Sequence, residues 1–316
     1  MRKYKIPTAD YTTFEDSKEA KKYVDGKRYP LVIKADGLAG GKGVLIVENY
    51  ESALEAIDDL MGKEKFGAGG KKIVIEDFLI GKELSFIIVV DGKQFLPLAT
   101  SQDHKTIGEN DVGLNTGGMG AYSPVSFVNK NLYENIIEKV IKPTVNGLAE
   151  EGIYYRGFLY AGLMINNNLE PKVLEYNCRF GDPETQPILM RLKSDLIDMI
   201  DESFRGDLNN YLIEWDKRTA IGVVIASEGY PQEYQVGKKI LGLEKLNNID
   251  NVKIFHSGTI ANNGEVVTNG GRVLCVTGLG EDIIKARKEV YLAVSSIHWD
   301  GSYYRKDIGN RSTKNL

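Results

Sequence analysis

Cysteine and histidine are scarce: two and three of 316 residues. Cys178 and Cys275 stand in unrelated contexts, which argues against a disulfide framework or a cysteine-rich zinc site and fits a reducing compartment. His104, His256 and His298 are scattered, and no serine or cysteine has an evident base beside it. Charge of one sign is lacking too. The formal net charge is −4 with no long basic run, so nucleic-acid binding is not favoured. No apolar run is long enough to span a bilayer, and the start carries no signal-peptide pattern. The expectation is a cytoplasmic chain with no membrane and no nucleic-acid partner. Hydrophobic content of 42% and charged content of 27% are ordinary for a globular protein long enough for two domains.

What is present begins with short strand signals. Tyr29 to Ala35 reads as a buried strand, Val44 to Val47 as a second and Ile73 to Ile75 as a third, with an amphipathic helix over Ser52 to Met61. Leu84 to Val90 and Gln94 to Ala99 flank Asp91-Gly92, a hairpin signal. Gly108 to Gly120 carries five glycines and reads as a long functional loop. Asn131 to Glu150 is expected to be a helix disturbed at Pro143. Phe158 to Ile165 and Pro171 to Asn177 form a second hairpin. Asp182-Pro183-Glu184 is expected to open a helix, with Asp182 as its cap, that runs to about Phe204. A break over Gly206 to Asp216 precedes a separate β-rich module closed by a helix from Glu281 to Ile297.

Three patterns carry chemistry. The first is Leu174-Glu175-Tyr176-Asn177-Cys178-Arg179. If Val173 to Arg179 is a strand, Glu175, Asn177 and Arg179 share one face, while Tyr176 and Cys178 point into apolar surroundings. Two oxygen donors suit a hard cation such as Mg²⁺, and the arginine suits a phosphoryl or carboxylate group. A polar face that simply meets water is the competing reading. The second is Lys34, ending a strand, followed by Gly37, Gly40, Gly41, Lys42 and Gly43. Such a loop brings backbone N–H groups close to an anion. It is not a Walker A loop, because Gly43 follows Lys42, and not a dinucleotide fingerprint, because a strand follows. A hairpin with solvated lysines is the alternative. The third is the run from Glu76 to Glu83, where a strand end and turn can meet an adenine edge and Glu83 the ribose; a polar connection between strands is the alternative.

The ordered set of strand lysine, glycine flap, E-x-F-L-x-G-x-E and E-x-N-x-R resembles the ATP-grasp superfamily. IKADGLAGGKGV, EDFLIGKELSF, ATSQDHK, NTGGMGAYSP, GFLYAGLMI, LEYNCRFGDPETQP, VTNGGRVLCVTGLG and IHWDGSYYRKDIG together resemble the glycinamide ribonucleotide synthetase (phosphoribosylamine–glycine ligase) family. The resemblance implies an α+β ATP-grasp fold, two subdomains clasping ATP, followed by a small β-rich C-terminal domain. It implies ligation of glycine to 5-phosphoribosylamine through a glycyl phosphate, the second step of de novo purine synthesis, with ATP and Mg²⁺ or Mn²⁺. By resemblance, Lys34, Gly37, Gly40, Gly41, Lys42, Gly43, Glu76, Phe78, Leu79 and Glu83 bind ATP. Glu175 and Asn177 hold the metal. Arg179, Lys34 and Asp103 are catalytic. Asp103, Asn115, Thr116, Gly117, Gly118 and Arg179 meet glycine and phosphoribosylamine. Leu114 stands where the family commonly has proline, a change of loop stiffness rather than of chemistry.

The expected division is a linker remnant over 1–14, a small subdomain over 15–80, a central subdomain over 81–215 and the C-terminal domain over 216–316. Family members begin with a further nucleotide-fold domain, followed by a helix with a Ser-Lys pair that gives a lysine to ATP, and Met1 aligns near the end of that helix. The expectation is therefore a shortened ligase that makes little product alone, its front domain needed in cis or in trans. Another ATP-grasp carboxylate–amine ligase, or a nucleotide-binding fragment without turnover, are the alternatives.

Overall fold

The computed structural model describes residues 1–37, 43–62, 70–246 and 249–313. Gly40, Gly41 and Lys42 of the expected phosphate flap lie outside the described residues. The chain forms two compact units: a smaller one, Pro7–Lys82 with Asn166–Asn168, and a larger one, Met1–Ile6, Glu83–Ile165 and Leu169–Leu316.

The smaller unit contains β1 (Tyr11–Phe14), α1 (Ser17–Val24), β2 (Leu31–Ala35), β3 (Val44–Val47), α2 (Tyr50–Ile57) and β4 (Ile73–Asp77). Its sheet has the order β1-β4-β2-β3, with antiparallel pairs throughout. Alternation decides its two faces. Leu31, Ile33, Ile73 and Ile75 are buried against Ala20, Val24, Ala53 and Ile57 of the two helices. Asp16 caps α1 by accepting from the Lys18 and Glu19 amides, and Asn49 and Ser52 form a capping box on α2. Residues 11–14, expected in a linker remnant, are an edge strand: β1 pairs with β4 residue for residue from Tyr11↔Glu76 to Phe14↔Ile73.

The larger unit follows with β5 (Lys82–Asp91), β6 (Phe95–Pro97), β7 (Gln102–Asp103), β8 (Gly120–Ser123), α3 (Lys130–Ile136), α4 (Lys142–Glu150), β9 (Arg156–Ile165) and β10 (Pro171–Asn177). Next come α5 (Thr185–Arg191), α6 (Leu196–Arg205), β11 (Thr219–Ser227), β12 (Val252–His256), β13 (Thr259–Asn262), β14 (Glu265–Thr268), β15 (Arg272–Gly280), α7 (Ile283–Val294), β16 (Ser302–Tyr303) and α8 (Asn310–Thr313). One sheet runs β10-β9-β5-β6, and another β12-β15-β11-β8-β7 with β16 on β11. The second sheet explains why the segment after residue 216 is not a separate compact unit. β11 pairs with β8, from Ala220↔Ser123 to Val223↔Gly120, so central and C-terminal segments share one sheet and one core.

Two helix expectations are corrected. The disturbance in the 130–150 helix lies at a π-helical turn, Ile137–Ile141, just ahead of Pro143. The helix after Pro183 starts at Thr185 and stops at Arg191, and α6 begins separately under an Asp195 cap. Asp182 caps nothing, because its carboxylate is held by Arg272 at 2.6 Å. Among the described residues no helix is long and apolar enough to cross a membrane.

Candidate functional site

In the smaller unit, Lys34 and Glu76 stand on the sheet face opposite the core. β2 and β4 pair Lys34 with Val74 and Val32 with Glu76, so the two charged side chains are diagonal neighbours. Lys34 Nζ lies 2.6 Å from Glu76 Oε2, with both side chains less than a fifth exposed. A half-desolvated pair of this kind is an oriented dipole rather than two free charges. Gly37 is exposed, and the Gly43 carbonyl accepts from the Ala35 amide at 2.9 Å, so the strand pairing continues to the foot of the glycine loop. Beyond β4 the chain runs through Phe78, exposed, and Leu79, half-buried.

In the larger unit the polar side chains converge on Lys105. Its ammonium lies 3.1 Å from Glu83 Oε2. Burial works against its charge, but Glu83, Glu175 and Asp103 outweigh that and hold its pKa above the ordinary lysine value. Of these three acids, Glu83 is the one in direct contact with the ammonium. Asp103, on β7, is buried with Oδ1 lacking a hydrogen-bond partner. Burial first, and Glu184 second, push its carboxyl well above the usual range, which favours the neutral form. Glu184 is itself buried, accepting from Ser85 Oγ at 2.8 Å; the same hydroxyl lies 3.0 Å from Tyr160 Oη.

The 115–118 loop closes over Asp103. Thr116 donates through N and Oγ1 to the Lys105 carbonyl, at 2.7 and 2.8 Å, and its Oγ1 accepts from the Gly118 amide at 2.9 Å. Gly118 has φ +114°, and a Cβ there would lie 2.3 Å from Pro183 Cδ and 2.7 Å from Asp103 Oδ1. Only glycine fits this conformation and this space. Asn115 is exposed. Asp103 and the loop are therefore brought together as expected, but with the carboxyl underneath and the loop above.

On β10, Glu175 pairs with Gly162 and Asn177 with Tyr160, after a register shift between Val173 and Glu175. The two side chains share a face, and Asn177 Nδ2 donates to Glu175 Oε1 at 3.3 Å. Gly162 makes room, since a Cβ there would approach Glu175 Cγ to 3.1 Å. The pair offers carboxylate and amide oxygens, hard donors that fit Mg²⁺ or Mn²⁺. Among the described residues no group of three or more His, Cys, Asp or Glu is placed to hold a metal ion. The alternation argument does not extend to Arg179. The strand ends at Asn177, and the exposed Arg179 donates to the Phe180 carbonyl at 2.8 Å. Cys178, expected on an apolar face, is exposed for the same reason.

Sequence reading passed over Lys105, Glu184, Ser85 and Arg272. Lys105 carried one signal, its i, i+2 spacing from Asp103 within ATSQDHK. Arg272 stood within VTNGGRVLCVTGLG, but nothing there pointed to its partners, for Gly117 and Asp182 lie 155 and 90 residues away.

Two family models match this chain: the ATP-grasp (A) domain of phosphoribosylglycinamide synthetase over residues 1–185, and the C domain of the same enzyme over 220–311. A phosphoribosylamine–glycine ligase of Haemophilus influenzae is 50% identical over 314 residues, covering 99% of this chain and 73% of that one. The crystal structure of a phosphoribosylamine–glycine ligase from Thermotoga maritima superposes with a TM-score of 0.89 at 38% identity, over 98% of this chain and 76% of that one. A biotin carboxylase from Campylobacter jejuni shares the fold at a TM-score of 0.71 and 16% identity, over 98% of this chain and 67% of that one. Two matching domain models in order, and half the residues identical across nearly the whole chain, establish that it belongs to the phosphoribosylamine–glycine ligase family.

Proposed function

We propose that this chain joins glycine to 5-phosphoribosylamine with ATP as the phosphoryl donor, in the second step of de novo purine synthesis, as a cytoplasmic enzyme. As a member of its family it is an ATP-dependent carbon–nitrogen ligase. A glycine carboxylate oxygen attacks the γ-phosphorus and the bond to ADP breaks, giving glycyl phosphate. The amine of phosphoribosylamine then attacks the carbonyl carbon, phosphate leaves and the nitrogen loses a proton. No covalent enzyme intermediate is required, so rate depends on positioning and charge neutralisation.

The observation that carries this reading is the Lys105 ammonium paired with Glu83 Oε2 at 3.1 Å, in the unit that also carries Glu175 and Asn177. An ammonium whose charged form Glu83 and Glu175 favour suits a site where negative phosphoryl oxygens must be met. Lys34 and the backbone of Gly37 to Gly43 serve the ATP phosphates, and Glu76, Phe78 and Leu79 the adenine edge. Glu83 divides its oxygens between Lys105 and the ribose. Glu175 and Asn177 hold Mg²⁺ or Mn²⁺, which when bound neutralises phosphate oxygens. Arg179, an exposed residue, meets the transferring phosphoryl group. Asp103 supports the loop from below, while Asn115 and Thr116 face the amino substrates. The test is release of ADP matched by glycinamide ribonucleotide, requiring both amino substrates. Lys105→Ala is expected to lower kcat/KM by about 10²-fold or more. Wild-type rates in Lys105→Ala, or ADP release indifferent to glycine, would overturn it.

A further inference from the structure

We propose that Tyr230 and Arg272, both from the C-terminal segment, are positioning residues that clamp the Gly117 peptide and so set affinity for the amino substrates rather than for ATP. The inference rests on the reading of 115–118 as the substrate loop.

Tyr230 Oη accepts from the Gly117 amide at 3.0 Å, and Arg272 Nη1 donates to the Gly117 carbonyl at 2.7 Å. The two polar ends of one residue are thus taken by side chains more than a hundred positions away in sequence. The same guanidinium reaches the Gly118 carbonyl at 3.3 Å, the Asp182 carbonyl at 3.1 Å and Asp182 Oδ2 at 2.6 Å. It therefore ties the loop to the segment that follows the Glu175–Asn177 strand. A point-charge lysine cannot reproduce this, because the acceptors are met by a planar fork.

Local sequence has been shaped around the clamp. A Cβ on Gly117 would lie 2.8 Å from Arg272 Cζ, so the guanidinium occupies the space a side chain would need. A Cβ on Gly271 would lie 2.3 Å from Tyr230 Cδ2, so that glycine makes room for the Tyr230 ring. The ring also packs against Tyr234, with centroids 6.3 Å apart. Arg272 starts β15 and is fixed in register by pairing with Ala226. Arg272 thus stands on a strand, and the Tyr230 ring, in the turn after β11, packs against Tyr234 and Gly271, while the loop they hold is glycine-rich. The hydrogen bonds of the clamp run to Gly117, Gly118 and Asp182, so its direct hold is on the loop and on the segment after β10.

The experiment uses the full chain with Tyr230→Phe, Arg272→Lys and, as a control on the loop itself, Asn115→Ala. Deuterium uptake is followed in peptides covering 105–119, with steady-state KM for glycine, phosphoribosylamine and ATP. Tyr230→Phe, which removes one hydroxyl, is expected to speed exchange in those peptides. It should raise KM for an amino substrate about 3–10-fold, the loss of one hydrogen bond, at an unchanged melting temperature. Arg272→Lys should raise it further, with KM for ATP moving less than about twofold in both. Unchanged exchange and KM in Tyr230→Phe, with an effect in Asn115→Ala, would overturn the clamp and leave the loop assignment standing. No effect of Asn115→Ala on either amino substrate would overturn both. A parallel rise in all three KM values would show a general loss of structure and would also overturn the proposal.

Discussion

Replacing Gly118 with alanine tests how the loop sits on Asp103. The added Cβ would lie 2.3 Å from Pro183 Cδ, about 1 Å short of ordinary van der Waals contact, and 2.7 Å from a buried carboxyl oxygen. Neither neighbour can swing away, one being a ring and the other enclosed, so the loop itself must shift. The backbone adds to this, since φ of +114° is a conformation that a side chain disfavours by about 1–3 kcal/mol. Overpacking typically adds about 1–3 kcal/mol, giving a loss of about 2–6 kcal/mol in stability. A displacement of about 1 Å in a substrate loop costs about 10²-fold in kcat/KM. Urea denaturation and steady-state kinetics read the two effects. Gly152→Ala is the control, for Gly152 has φ +74° and open space around it. It should show the backbone cost alone, about 1 kcal/mol, with unaltered kinetics. A Gly118→Ala protein that melts and turns over like wild type would refute the packing argument.

Three further outcomes follow from the described groups. His104 is fully buried, accepts only weakly from the Gly309 amide at 3.4 Å, and its pKa is pushed down to about 3 by burial and by Arg311 and Arg305. The unfolded chain therefore binds a proton below about pH 6.5 that the folded chain refuses until about pH 3, so this group's contribution to stability falls as pH falls through that window, by about 2 kcal/mol at pH 5. Asp103, raised by burial and Glu184, acts with the opposite sign above the ordinary carboxylate pKa, so the diagnostic quantity is the difference between wild type and His104→Gln. That difference should move in favour of the variant between pH 7.5 and 5 in urea titrations; a constant difference contradicts the assignment. Lys34→Ala should weaken ATP binding by about 1.5–3 kcal/mol, the loss of a charge-assisted contact, in a calorimetric titration, and unchanged affinity would remove Lys34 from the nucleotide site. Mg²⁺ should bind weakly to the nucleotide-free protein and much more tightly with ATP, because two protein ligands leave most of an octahedron open; tight binding without nucleotide would contradict the Glu175–Asn177 assignment.

The elements legible in the sequence were those whose signal is local. Short apolar runs gave β2, β3 and β4 within a residue or two, and Asp91-Gly92 marked the β5–β6 turn. β1 was missed because Tyr11–Phe14 is short, partly exposed and defined by its partner β4 rather than by its own pattern. The helix after Pro183 was expected to start under Asp182, which has the residue type of a cap, but its carboxylate is claimed by Arg272, and no local rule foretells that; its expected length joined α5 to α6 across the break before Asp195. The site divides in the same way. Glu175 and Asn177 were readable from spacing along one strand. Lys105 becomes the electrostatic centre only when β5, β7 and β10 bring Glu83, Asp103 and Glu175 around it. Arg272 and Tyr230 act through backbone groups of Gly117, and backbone acceptors leave no mark in a sequence.

The central claim is that this chain activates the carboxylate of glycine as an acyl phosphate. Hydroxylamine intercepts such a species, attacking the carbonyl carbon and releasing phosphate, so the direct measurement is glycine hydroxamate formed from ATP, glycine, Mg²⁺ and hydroxylamine without phosphoribosylamine. Hydroxamate and ADP are expected in equal amounts, both dependent on glycine and both strongly reduced in Glu175→Gln and Lys105→Ala. ADP formed without hydroxamate, or hydroxamate at undiminished rates in both variants, would contradict the account.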